Sequence, residues 1–522
     1  MADRWSIYGG SQPQVAPGWS VETLCGPSRL WGANGIVWGA RNELMVTQVF
    51  GSQVTAIDVD SGAHRPYAAL GEGINAPDDG AFGADGTFFA TEPMNATVSA
   101  RRADGSYVTL RDDLPSVNGM TTSHDRRRLF VDEFRPGGRL LELDPGGERE
   151  PVVLADDLAM PNAFAMGPDG ALWFPQVIAG EIWRLDLDDR SLQRRFVDLA
   201  TPTAVKFDAQ GRLLSSLAGS GELVRIDIAT GAREVLARVN PGIDNFAIGD
   251  GGRLFVSHFT DGRVAEVTGG VERVLSDSGL VGPFGLARRA DGRILAADGL
   301  SVAEIGTDGS QRRIMNLIAD LPSMAIDVIE YDGEPLVLVE RGQVFRKPAD
   351  GGRAVSVAGR LERPVALADS GDGGVLVVER GAGRIVRIDG RGGTTAEVAS
   401  GLDRPVGAAV APDGTLWVGQ RGGVVGLRDG SVVARLDEVR EPSGVAATAD
   451  AVLVADPSGR RVVAFDLASG TARNILTSAP LGPPVAGARV PHAASPLRSD
   501  GDGFLLGCDG DGTVRRLRRD RP

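Results

Sequence analysis

Met160–Asp188 reads MPNAFAMGPDGALWFPQVIAGEIWRLDLD, and the order of its parts decides the fold. A run of small apolar residues leads to a D-G turn. An aromatic strand, a glycine-containing turn and a strand ending near Asp follow. D-G supplies residues that tolerate the positive φ of a tight hairpin turn, and the flanking runs are short and rich in β-branched or aromatic residues. The same parts return in RPVGAAVAPDGTLWVGQRGGVVGLRDG from Arg404 and in RPVALADSGDGGVLVVERGAGRIVRIDG from Arg363. No sustained helical period interrupts them, which excludes a helical solenoid.

Working outward, the first strand of each unit opens at Asn34, Asp78, Asn118, Asn162, Thr203, Asp244, Phe284, Ala325, Val365, Val406, Ser443 and His492. The spacing is roughly 40 residues, the length of a four-stranded propeller blade. The predicted fold is all-β: two tandem six-bladed β-propellers. The last unit ends after its third strand, and two unassigned outer strands remain, Trp19–Leu24 and Val271–Leu275. If the former completes blade six and the latter blade twelve, neither ring leaves an open edge. That places a first propeller at residues 1–268 and a second at 269–522.

Bulk properties bound the function. The 522 residues exceed one hydrophobic core. A formal net charge of −14 argues against nucleic acid, whose phosphates need a basic face. Lysine occurs only at Lys206 and Lys347. No apolar run approaches a membrane span, and the opening residues lack the apolar core of a signal peptide. Cys25 and Cys508 lie at opposite ends, in different predicted rings, so no disulfide is expected and the expected location is the cytoplasm. The expected partner is a small-molecule substrate, with neither nucleic acid nor membrane.

In a propeller the innermost strand of each blade lines the axis, so one register position forms a ring of side chains. In the first ring that position is Asn34, Asp78, Asn118, Asn162, Thr203 and Asp244, all bearing oxygen. Converging polar groups of this kind need a cation or ordered water. The residues that end the second strands are Gln48, Glu92, Glu133, Gln176, Leu217 and His258. The second ring opens on the more apolar Phe284, Ala325, Val365, Val406, Ser443 and His492. There, Glu340, Glu379 and Asp456 are read as acids that satisfy backbone N–H groups of blade turns.

Several of these segments resemble the gluconolactonase and senescence marker protein (regucalcin-like) family, with its paraoxonase, diisopropyl fluorophosphatase and strictosidine synthase relatives. SVNGMTTSHDRRRLFVDE is similar to the family segment whose Asn ligates calcium, here Asn118. MPNAFAMGPDGALWF resembles the next ligand segment, with Asn162 where the family has Asp. ANGIVW resembles the opening segment, with Asn34 in place of Glu. APDDGAFGADGTFFATE resembles the N-D segment of the substrate and metal shell, at Asp78 and Asp79. GIDNFAIGDGGRLFVSHF resembles a paraoxonase and strictosidine synthase segment, at Asp244, Asn245 and His258. With two ligand acids replaced by amides, calcium is expected to bind more weakly.

The resemblance implies a metal-assisted hydrolase of a lactone or related ester, with a divalent cation, calcium, on Asn34, Asn118, Asn162 and Asp244. Asp244, Glu133 or His258 would move the proton. Asp78, Asp79, Glu92, Gln48, Gln176 and Asn245 would meet the substrate. Two alternatives stand beside it: a lyase, isomerase or cyclase working through rim histidine and carboxylates, and a non-enzymatic binding scaffold. There is no G-x-S-x-G elbow and no H-E-x-x-H pair.

Overall fold

Short hairpins dictate what the computed structural model shows: twelve antiparallel sheets built from consecutive strands. The structure describes residues 12–317, 319–393, 396–482, 495–501 and 503–520. Among these, no helix is long and apolar enough to cross a membrane. The chain divides into two compact units, one spanning Arg29–Ser278 and the other containing the segments on both sides of it.

The Arg29–Ser278 unit is the first propeller. Its six sheets follow one another from Ala33–Trp38 to Arg273–Ser276. The innermost strand of each blade packs against that of the next, and Ile243–Ile248 of blade six returns to Ala33–Trp38 of blade one. The second propeller holds the other six sheets, and its inner strands likewise pass from Gly285–Arg288 round to Leu497–Asp500 and back. Core residues lie between successive blades. Leu44, Ile57, Phe255 and Val264 pack between blades six and one, for example.

Ring closure differs from the sequence expectation. Arg273–Ser276 pairs with Val264–Glu266 of blade six, Val264 opposite Ser276. Trp19–Cys25 instead pairs with Thr513–Arg519 of blade twelve, Trp19 opposite Arg519 and Val21 opposite Leu517. The reason is loop length. A hairpin through Thr268–Gly270 joins the last two strands of blade six locally, at far lower closure entropy than an exchange across the chain. The N-terminal strand then fills the one remaining edge. A further short strand, Gln14–Val15, extends blade eleven beside Ala472–Thr477. The boundary at 268 therefore moves to Ser278, and residues 12–28 belong to the second ring.

This also corrects the reading of the cysteines. Cys25 and Cys508 both sit in blade twelve, flanking the same strand at Val514 and Thr513. Both are buried free thiols, and burial raises their pKa values well above the ordinary one. His492 lies outside the described residues, and the sixth inner strand of the second ring runs Leu497–Asp500.

Candidate active site on the axis of the first ring

The inner strands bring Asn34, Asp78, Asn118, Asn162, Thr203 and Asp244 to one end of the first ring's channel. All but Asp244 are buried, and Asp244 is partly open. Asn34 Nδ2 donates to Asp78 Oδ1 at 3.0 Å, and Asn118 also hydrogen-bonds Asp78. An amide that donates with its nitrogen turns its oxygen elsewhere. Asn34 Oδ1 is buried without a partner among the described residues, an acceptor aimed at something other than protein. Asn162 Oδ1 accepts from its own neighbour, the Ala163 N–H, at 2.8 Å. Thr203 is turned aside, its hydroxyl between Ser216 Oγ (3.0 Å) and the Ile243 carbonyl (3.1 Å).

One layer deeper, Asp79 is fully engaged. Its Oδ1 accepts the Gly80 N–H at 2.9 Å, and its Oδ2 accepts the Met120 N–H of the next blade at 3.2 Å. Asn245 stands beside it, with Nδ2 3.5 Å from Asp79 Oδ1 and Oδ1 accepting the Phe246 N–H. Glycine at 35 is required here, because a Cβ would run into the Asp79 carboxylate and the Asp78 carbonyl. Asp79 and Asn245 thus form part of the floor and wall of the channel.

Burial and mutual repulsion shift the whole cluster. Burial, then the charge of Asp79, pushes the Asp78 carboxyl up to about 7. Burial raises Asp79 to about 6 against the opposing charge of Lys206. Asp244 and Asp132 are also raised, by burial first and then by neighbouring aspartates. Lys206 is lowered by burial, which Asp79 and Asp244 oppose. Its Nζ donates to the Ile36 carbonyl at 3.3 Å and lies 5.7 Å from the centre of the Phe246 ring.

The residues ending the second strands do not join this site, and the register explains why. Cross-strand partners share a face, while sequence neighbours take opposite faces. Gln48 pairs with Ala33, Glu133 with Val117 and His258 with Ile243, each one position before the axial residue. Glu133 is accordingly locked by Arg135 Nη2 (2.7 Å) and Arg139 Nε (2.9 Å). Burial works to raise its pKa, and the two guanidiniums overcome it to leave it lowered. Gln48 Oε1 caps the Trp31 N–H at 2.9 Å, and its Nε2 donates to Thr55 at 2.6 Å. Glu92 Oε2 accepts from Asn95, three residues on, at 3.2 Å. Gln176 is buried opposite Pro161 and Glu181. His258 is fully buried and its pKa is lowered by burial. Gln48 and Glu133 are thus held by hydrogen bonds to neighbouring blade groups, whereas the Gln176 amide oxygen and both His258 ring nitrogens are buried without a hydrogen-bond partner among the described residues. The capping role expected in the second ring holds for Glu379, which accepts the Glu362 N–H, and for Asp456, which accepts that of Gly459.

The penultimate position, which sequence reasoning missed, is the one that reaches the axis. Thr47 donates to the Asp78 carbonyl of the next blade, Thr91 to that of Asn118, and Ser257 to that of Asn34 at 2.5 Å. Asp132 Oδ1 accepts the Gly119 N–H at 2.9 Å. Thr47, Thr91 and Ser257 thus staple adjacent inner strands together, while Asp132 ties the first two strands of its own blade. The signal was present as Thr47, Thr91, Asp132, Ser216 and Ser257, one residue before the series that drew attention.

The donor set suits a hard cation in kind. Asp78 and Asp244 offer carboxyl oxygens, and Asn34 offers an unclaimed amide oxygen. Among the described residues no three His, Cys, Asp or Glu side chains gather to hold a metal, so amide oxygens would have to complete the shell.

A closed ring of four-stranded blades with an acidic, oxygen-lined axis defines a β-propeller. Residues 15–260 match the family described as SMP-30/Gluconolactonase/LRE-like region. None of the curated proteins matches the chain. Among solved structures, a streptogramin B lyase is 14% identical, with 62% of this chain and 95% of that chain covered and a TM-score of 0.37. Regucalcin, a calcium-binding protein from Agrobacterium tumefaciens, is 19% identical, with 46% of this chain and 85% of that chain covered and a TM-score of 0.37.

Proposed function

We propose that the first propeller is a metal-assisted hydrolase of a lactone or related ester. The observation that carries the reading is the convergence of Asn34, Asp78, Asn118 and Asp244 at one end of the channel, in a domain that matches the gluconolactonase-like family. In this reading Asn34 through its open Oδ1, Asn118, Asn162 and Asp244 hold a divalent cation, calcium. When bound, such an ion polarises a carbonyl and makes water a better nucleophile. The chain's own residues then orient and move the proton. The amides of Asn34 and Asn118 fix the Asp78 carboxylate, and a group near pH 7 is suited to accept a proton from water and return it to the leaving oxygen. Lys206 and Asp79 below hold the floor rigid and limit the build-up of negative charge.

Replacing Asn118 tests this. Asn118→Ala is expected to remove bound calcium and lactone turnover together, and Asp78→Asn to keep the ion while lowering the rate by about 100-fold or more. If turnover survives both Asn118→Ala and chelation yet fails in Asp78→Asn, the enzyme is an acid–base lyase, isomerase or cyclase that works without a metal. That second reading has its own support, because Asn34 and Asn162 stand where the family resemblance leads one to expect acids.

A further inference from the structure

The second ring repeats the axial device of the first. Asp327, the counterpart of Asp79, accepts the N–H of its own neighbour Val328 at 2.9 Å and that of Leu367 in the next blade at 2.7 Å. Gly285 faces it as Gly35 faces Asp79, and a Cβ at either glycine would collide with the carboxylate. Arg498 plays the part of Lys206, with Nη2 paired to Asp327 Oδ2 and donating to the Leu367 carbonyl at 2.8 Å. Both rings also have a cavity on the axis against this buried pair, but the two cavities differ in size. In the first ring Trp38, Phe82, Met120 and Phe164 narrow it to about 190 Å³. In the second, Ala287, Ala368, Ala408, Ala409, Ala446 and Ala447 leave about 510 Å³. That is within the range of small-molecule sites.

Two features define what would fit. Arg498 lines the cavity, and its Nε is buried without an acceptor among the described residues, a donor left unpaired at some cost. Every guanidinium around the cavity already has a carboxylate: Arg498 has Asp327, Arg288 has Asp500 at 3.0 Å, and Arg289 has Glu304 at 2.7 Å and Glu330 at 3.1 Å. An anionic ligand would be desolvated there with no unpaired guanidinium to meet it, and a cation could not accept the Nε hydrogen bond. A neutral oxygen acceptor would satisfy Nε without that cost.

We propose that the axial cavity of the second ring binds a small neutral molecule with an apolar body and one carbonyl oxygen, seated with that oxygen on Arg498. The site stands apart from the hydrolase reading and does not depend on it. The test is calorimetric titration of the full chain with three probes of similar shape: 4-phenyl-2-butanone, 4-phenylbutyrate and butylbenzene. The ketone is expected to bind best. Its affinity should fall about tenfold in Arg498→Met, the loss of one hydrogen bond to a charged group, and vanish in Ala409→Phe, which fills the cavity. Asp244→Asn in the first ring should leave it unchanged. Should Arg498→Met fail to fold, the ketone's preference over butylbenzene and its loss in Ala409→Phe decide alone. No saturable ketone binding, tighter binding of the carboxylate, or binding that persists in Ala409→Phe would overturn the proposal.

Discussion

Single residues show where the register argument succeeded and where it slipped by one. Asn34, Asp78, Asn118 and Asp244 were legible because identical chemistry recurs at one point of each repeat. The positions of Glu133 and His258 relative to the axis were not legible, because whether a strand's last or penultimate side chain faces the axis depends on the β-bulges that shift the register between Ala33 and Ile36, Val117 and Met120, and Ile243 and Phe246. Single-sequence periodicity does not reveal such a bulge. If Glu133 is structural, Glu133→Gln should leave kcat within about twofold and cost about 1–3 kcal/mol in urea unfolding, the range for stripping partners from a buried hydrogen-bonded group. His258 gives a pH test. Its pKa is lowered in the fold, so the unfolded chain binds the proton more readily, and stability drains away as pH falls through the unfolded value near 6.5. His258→Leu should therefore lose less melting temperature between pH 7.5 and 5 than the parent protein, whereas an equal loss in both would deny the buried neutral imidazole.

Elements carry a different lesson. The number and kind of strands followed from turn chemistry, since D-G dipeptides and short β-branched runs specify hairpins locally. Which outer strand closes which ring did not follow, because both candidates are short amphipathic strands and only chain connectivity separates them. The structure gives Trp19–Cys25 a seven-residue pairing edge in blade twelve, with Trp19 packed on Phe504 at 6.2 Å between ring centres. Removing residues 1–25 should expose that edge and lower the melting temperature of the second ring alone. Scanning calorimetry of the truncated chain checks this: the transition of the first ring should stay in place, and a shift of that transition instead would contradict the pairing.

At the scale of the whole molecule, one propeller is inserted in sequence within another, and the two have diverged at the same structural position. Each keeps a glycine, a buried aspartate and a cation on its axis, but large side chains crowd the first cavity and alanines open the second. The first alone has oxygen-bearing residues at every blade of its mouth, which is why the chemistry is placed there. Lactone turnover of the chelated full chain, followed while calcium is added back, decides whether the first ring is a calcium-dependent hydrolase. The account predicts negligible turnover without the ion and recovery that saturates with one calcium bound per chain. Full turnover in the presence of chelator, unaltered by added calcium, would contradict it.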